Sequence, residues 1–401
     1  MLCKQILCKC LLCVLTLVAG CPTEGSAQIT AQAWNSQVVG WNLGNQLECS
    51  APGQDGESQA IGNPDGADQA ETAWGNPVVT RKCIKAVKEA GFNAIRIPVR
   101  WQCHITNDKA MVISKTWMAR IKEVINWALE ADLKVIVNVH HEKWLESNPY
   151  DKNLEENCRR LALLWMNIAN ELRDYDYRLA FAGTNEVHVP GHWGAPTAEN
   201  LRVQNAYNQT FVDMVRATGG RNEKRHLMVQ TYVCNPEFGI NNGDFIVPKD
   251  LDGNGNDYLS VEFHYYNPYD YCGECKYYWW GEPYRSLGEV SPSDEQTLTH
   301  FFDRVHQVWA SQGLGICIGE WGVTDHYKGG EMEKMHENAA YYCHVFVHAA
   351  RQRGFSTFIW DNNRFGNGPE MFGIFDRQRG MKVKAPWILQ GIFGNRNNSK
   401  K

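Results

Sequence analysis

Eight short apolar runs punctuate this chain, and their spacing limits the folds open to it. They read VVGWNL (38–43), NAIRIPV (93–99), KVIVNVH (134–140), RLAFAG (178–183), HLMVQTY (226–232), YLSVEFHY (258–265), GICIGEW (315–321) and STFIWDN (356–362). Several are almost continuously apolar, as parallel strands covered on both faces are. The segments between them carry helical spacing instead. Trp117, Ile121, Val124, Ile125, Ala128 and Leu129 recur along one helical face between the second and third runs, and Leu154, Cys158, Leu161, Trp165, Ile168 and Leu172 do so between the third and fourth. Ile84, Val87 and Ala90 line another face, and Gly91 stands where such a helix ends. Strands alternating with helices predict a parallel sheet, and eight of them predict a single (β/α)8 barrel, the TIM barrel. The rival, an open doubly wound sheet around a nucleotide, lacks its signature: no G-x-G-x-x-G follows the first run, and there is no G-x-x-x-x-G-K.

No linker rich in Pro, Ser or Gly divides residues 28–395, so they read as one domain, with a Gly/Asp/Gln-rich loop at 50–70 and a polar tail at 396–401. The net charge of −5 argues against nucleic acid as a partner, because neutralising phosphates needs a basic surface. Residues 1–27 read as an export signal. Lys4 and Lys9 precede an apolar stretch from Leu11 to Ala19 that is too short to span a bilayer. Two processing routes stay open. LVAG before Cys21 resembles a lipobox, which would make Cys21 a lipid anchor, and GSA before Gln28 suits ordinary signal peptidase. The expected product is exported, as a secreted, periplasmic or surface-anchored monomer. Cys272-Gly-Glu-Cys275 lacks the second ligand pair a zinc site needs, which leaves a local disulfide or two thiols. The chain has fifteen Trp and sixteen Tyr, which serve either a large core or platforms for flat apolar faces such as those of sugar rings.

In a barrel, the C-terminal ends of the strands meet at one face. Here those ends carry Asn45 and Glu48 (run one), Arg96 (two), His140 and His141 (three), Asn185 and Glu186 (four), His264 and Tyr266 (six), Glu320 (seven) and Trp360 (eight). So many polar and aromatic groups on one rim suit chemistry better than structure. Two carboxylates, Glu186 and Glu320, are what glycoside hydrolysis needs: one protonates the departing sugar oxygen, and the other attacks the anomeric carbon or activates water. Arg96 is a candidate partner to hold one of them ionised. Adjacent strand residues such as His140 and His141 point in opposite directions, a poor geometry for one metal ion, so no metal or cofactor is expected.

With these residues in place, the chain resembles the endoglucanase (cellulase) enzymes of glycoside hydrolase family 5. The matching motifs, in order, are WNLGNQLE, NAIRIPVRW, VNVHHE, Asn185-Glu186, FHYYNP, GEWG and the strand-eight Trp360. The resemblance implies a retaining endo-β-1,4-glucanase acting on a β-linked plant cell-wall polysaccharide, with Glu186 as acid/base and Glu320 as nucleophile. It implies that Arg96, Asn185 and Tyr266 surround the nucleophile, with Asn185 bonding a sugar 2-hydroxyl. It further implies that His140, His141 and His264 shape the central subsites, that Trp360 stacks on a sugar, and that Asn45 and Glu48 bind a sugar hydroxyl further out. The family also hosts xyloglucanases and β-mannanases, and a barrel that binds glycan without cleaving it is a reading of a different class. The chain departs from the family pattern at Val187, where Pro is common, and at Gln46-Leu47-Glu48. The aromatic segment 275–284 is expected to form part of the rim around the polymer.

Overall fold

The computed structural model describes residues 28–50, 67–241 and 245–394. The expected export signal with Cys21, most of the 50–70 loop and the polar tail lie outside the described residues. All eight apolar runs are strands: β1 (Val39–Asn42), β2 (Ala94–Ile97), β3 (Lys134–Asn138), β4 (Leu179–Ala182), β5 (Leu227–Gln230), β6 (Leu259–Tyr265), β7 (Gly315–Trp321) and β8 (Ser356–Ile359). They close into a barrel in the order β1-β8-β7-β6-β5-β4-β3-β2, each pair parallel.

The helical patterns fall where the spacing places them, at Arg81–Ala90, Lys115–Glu130 and Asp151–Glu171. Thr80 caps the first by accepting the Cys83 N–H, and Gly91 ends it at φ 115°, a conformation that favours glycine. Ala198–Ala217, Glu295–Val308, Met332–Gln352 and Pro386–Phe393 continue the outer ring. Between β5 and β6 the described residues hold only two short turns, the 3-10 turn Tyr232–Cys234 and the single α-turn Glu237–Ile240, so the alternation is weakest there.

Strand alternation sorts the side chains into two compartments. Ile95, Val137, Phe181, Val229 and Phe263 point outward into the core shared with the helices. Ala94, Ile136, Ala180, Met228, Cys317 and Phe358 point inward and pack with Trp34 and Val38 in the lower lumen. Residue 40 must be small there, because a Cβ on Gly40 would lie 2.1 Å from the Phe358 ring. The short helix Ala31–Asn35 plugs this lower end. Asn35, fully buried, donates to Ser260 Oγ at 2.9 Å and accepts from Ser356 Oγ at 2.6 Å, tying the plug to the N-terminal ends of two strands.

Two expectations need correction or closure. Trp279 and Trp280 are buried, against Tyr284 and against Tyr341 and Tyr342 of the Met332–Gln352 helix, so the 275–284 segment caps the core instead of presenting its tryptophans to a ligand. Cys272 and Cys275 are both free thiols, the first buried and the second partly so.

Candidate active site

One step up each strand, the inward-facing residue changes character. Ala94 gives way to Arg96, Ile136 to Asn138, Met228 to Gln230, and Ser260 to Glu262 and then His264. The lumen is therefore apolar below and polar above. A buried polar layer is stable only if its groups bond one another, and these do. Arg96, fully buried, donates from Nε to Glu262 Oε1 (2.9 Å), from Nη1 to Glu320 Oε1 (2.8 Å) and Asn42 Oδ1 (3.1 Å), and from Nη2 to Asn185 Oδ1 (3.0 Å). Glu262 Oε2 accepts from Gln230 Nε2 at 2.6 Å, and Gln230 Oε1 accepts the Thr184 N–H at 2.9 Å. Burial would favour loss of the Arg96 proton, but the charges of Glu262 and Glu320 outweigh it and raise the pKa above the ordinary arginine value.

Glu320 reaches this layer through an irregularity. β6 and β7 run in register to Phe263↔Ile318, then shift so that His264 pairs with Glu320. The extra residue is Gly319, where a Cβ would meet Glu262 Oε1 at 2.1 Å. Cys317 and Gly319 already take the inward positions, so regular alternation would turn Glu320 outward. The bulge re-aims it into the lumen. Asn42 Nδ2 bonds the Gly319 carbonyl at 2.9 Å and holds the bulge in place.

The two carboxylates face each other across His264. Its Nδ1 lies 2.6 Å from Glu186 Oε1 and its Nε2 3.6 Å from Glu320 Oε1. One oxygen of Glu186 and one of Glu320 lie within 4.8 Å of each other. Burial lowers the proton affinity of His264, yet the negative charges of Glu320 and Glu186 prevail and raise its pKa above the ordinary 6.5. The environments of the two acids differ. Glu320 is 8% exposed and clamped by Arg96 and by the Tyr266 hydroxyl, which donates to Oε2 at 3.1 Å. The Glu186 side chain is 24% exposed and contacts His264 alone among the bonds given above. Tyr266 is kept protonated by burial and by the charge of Glu320, so it remains a donor.

The other predicted residues take several positions. Asn185 is buried under Arg96, with Nδ2 turned 3.4 Å from His140 Nε2. His140 is buried and its ring lies parallel to the half-exposed Trp360 ring, 6.3 Å away. His141 has left-handed backbone at φ 59° and leans towards Glu146 and Trp74. Asn45 is partly exposed at the rim. Glu48 is a correction: it is fully buried, and its two oxygens accept the N–H groups of Asn45 and Gln46. It braces its own loop and has no face left for a sugar. Glu142 acts similarly, accepting the N–H groups of Trp101 (2.5 Å) and Gln102 (2.9 Å), while burial pushes its pKa up to about 7.

Sequence reasoning missed Glu262, Gln230 and Asn42. Glu262 lies two residues before His264 on the same inward face of β6, so reading alternate positions back from that residue would have found it. Asn42 and Gln230 end β1 and β5, strands on which no candidate marked the inward face. The trio Glu186, His264 and Glu320 is also the only group of potential metal ligands among the described residues. The Arg96 guanidinium on Glu320 opposes a cation there.

A family model described as cellulase (glycosyl hydrolase family 5) matches residues 55–366. Endoglucanase B of Clostridium cellulovorans is 32% identical over 94% of this chain and 78% of its own length. A Bacteroides ovatus family 5 xyloglucanase, solved with a XXXG heptasaccharide, superposes with a TM-score of 0.79 at 32% identity, covering 92% of this chain and 78% of that one. A broad-specificity endoglucanase from Ruminococcus champanellensis with bound cellotriose gives a TM-score of 0.76 at 29% identity, covering 92% of this chain and 99% of that one.

Proposed function

Since the chain belongs to the cellulase family of glycoside hydrolases, family 5, we propose that it is a retaining endo-β-1,4-glucanase in which Glu320 is the nucleophile and Glu186 the acid/base. The observation that carries this reading is the unequal setting of two carboxylates whose oxygens approach within 4.8 Å. Retaining enzymes place the pair about 5–5.5 Å apart, too close for a water between them and close enough for direct attack. A nucleophile must stay ionised and aimed, as the Arg96 and Tyr266 bonds hold Glu320. A proton carrier must reach solvent, and Glu186 is the more exposed of the two.

In the first step Glu320 attacks the anomeric carbon, the bond to the leaving oxygen breaks, and Glu186 delivers its proton to that oxygen. The product is a glycosyl ester on Glu320. In the second step Glu186 takes a proton from water, the water oxygen attacks the anomeric carbon, and Glu320 departs. Asn185, its Oδ1 held by Arg96 and its Nδ2 beside His140 Nε2, is the group assigned to a sugar 2-hydroxyl. Trp360 supplies a flat face for a sugar on the β8 side of the rim. Export, the reading its leader composition supports, matches a substrate too large to enter a cell.

A second reading, preference for xyloglucan over unbranched glucan, is favoured by the similarity to the xyloglucanase solved with a heptasaccharide. A panel of carboxymethyl cellulose, mixed-linkage glucan, xyloglucan, glucomannan and xylan, with the first product's anomer read by NMR, tests both. The expected result is cleavage of β-1,4-glucans to an initial β-anomer. An initial α-anomer would overturn the retaining mechanism, and cleavage of xylan or mannan alone would overturn the substrate class.

A further inference from the structure

Two of the fifteen tryptophans are exposed, Trp74 and Trp193, and Trp193 is the more so at 57%. A lone exposed apolar residue carries no meaning by itself, but Trp193 is held in place. Its ring stacks on His188 with centroids 4.1 Å apart and planes 21° apart, leaving the opposite face open. His188 in turn is fixed to the acid: its Nδ1 bonds the Glu186 carbonyl at 2.6 Å, and its N–H donates to the Glu146 carbonyl at 2.9 Å. The loop tip is closed by the Val189↔His192 bridge and braced by the Tyr232 hydroxyl on the Val189 N–H. One indole face is therefore presented from a loop anchored to the very residue that, in the proposed mechanism, protonates the leaving oxygen.

Barrel order says which half of the substrate it meets. β4 and β8 stand four strands apart in either direction, so the loop after β4 and Trp360 after β8 face each other across the mouth. A polymer lying over Trp360 and crossing the two carboxylates leaves the site over the β4 loop. We propose that Trp193 is a specificity-determining platform that stacks on a glucosyl unit in the departing half of the chain. An indole face of this kind packs against the C–H face of an equatorially substituted pyranose ring, and His188 supplies the rigid backing.

This inference rests on the proposed glucanase reading, and the test separates the two. Trp193→Ala and Trp193→Phe are assayed on cellopentaose, which has sugars beyond the cleaved bond, and on β-cellobiosyl fluoride, whose leaving group is one atom. The expected result for Trp193→Ala is a loss in kcat/KM of about five- to tenfold on cellopentaose, no change on the fluoride, and partial recovery with Trp193→Phe. A matching loss on both substrates would overturn the platform, since the damage would then lie outside the departing half. A shifted alkaline limb in the cellopentaose kcat/KM–pH profile of Trp193→Ala would overturn it too, since Trp193 would then act through His188 on the proton of Glu186. No loss on either would overturn it too. Failure of the unaltered enzyme to cleave either substrate would instead reject the glucanase reading.

Discussion

The lower and upper halves of the barrel lumen are built by the same strands, two residues apart, and they solve opposite problems. Below, Ala94, Ile136, Ala180, Met228 and Phe358 fill space around the Trp34 plug with no charge among them. Above, Arg96, Glu262, Glu320 and His264 place several charges in a largely buried volume. The lower half tolerates any packing of the right volume. The upper half depends on each partner, because a buried charge that loses its counterpart is destabilising by several kcal/mol. Pre-organisation of the site is the return on that sensitivity: Arg96, Tyr266 and the Gly319 bulge hold Glu320 in one orientation, so that in the proposed nucleophile role it would need no reorganisation.

The largest expected effect is confined to the upper half. Glu320→Gln should fold with an unchanged circular dichroism spectrum and lose turnover by a factor on the order of 10⁴ or more. Substantial residual activity on a soluble β-glucan would remove Glu320 from its role. The next comparison pairs one residue from each half. Phe358→Ala leaves a cavity and Arg96→Met leaves Glu262 uncompensated, and each should cost about 3–5 kcal/mol of stability in denaturant titration. Only Arg96→Met should also lower kcat per folded molecule, because only Arg96 touches Glu320. Equal effects of the two on kcat would mean that the halves are not functionally separate.

The smallest effect is a pH dependence. The folded pKa of His264 is raised by Glu320 and Glu186, so the folded state binds its proton more tightly than the unfolded state does. The resulting stability is fully present below about pH 6.5 and is lost as pH rises through the folded value. The Glu142 carboxyl, raised to about 7, also makes stability fall with rising pH and has to be separated. Subtracting the Tm–pH curve of His264→Gln from that of the unaltered protein isolates the histidine. The difference should shrink as pH climbs above 6.5. A difference that is flat with pH would show that the imidazole carries no charge between the carboxylates.

Much of this arrangement is written locally. Strand runs such as VVGWNL and GICIGEW, the helix faces around Trp117 and Trp165, and the Gly91 stop depend on the period of a strand, the period of a helix and the φ that glycine permits, all of which act over a few residues. Every predicted strand is present, and the two carboxylates lie at strand ends where the barrel rule puts them. Three features needed the folded chain. Glu48 reads as a rim residue by position but is consumed by two backbone N–H groups of its own loop. Trp279 and Trp280 read as a sugar-holding surface but are covered by a helix that begins about fifty residues later.

The third feature is the charged layer itself. Arg96, Glu262 and Glu320 come from strands up to 224 residues apart, and their bonds depend on barrel closure and on a one-residue bulge at Gly319. Hydrophobic periodicity is a property of neighbours along the chain, so the sequence alone determined which segments became strands and which faces were buried. Coulombic and hydrogen-bond pairing depend on distance through space, so only the closed barrel decided which buried charge met which partner, and therefore which of the two glutamates is clamped by Arg96 and Tyr266 and which is the more exposed.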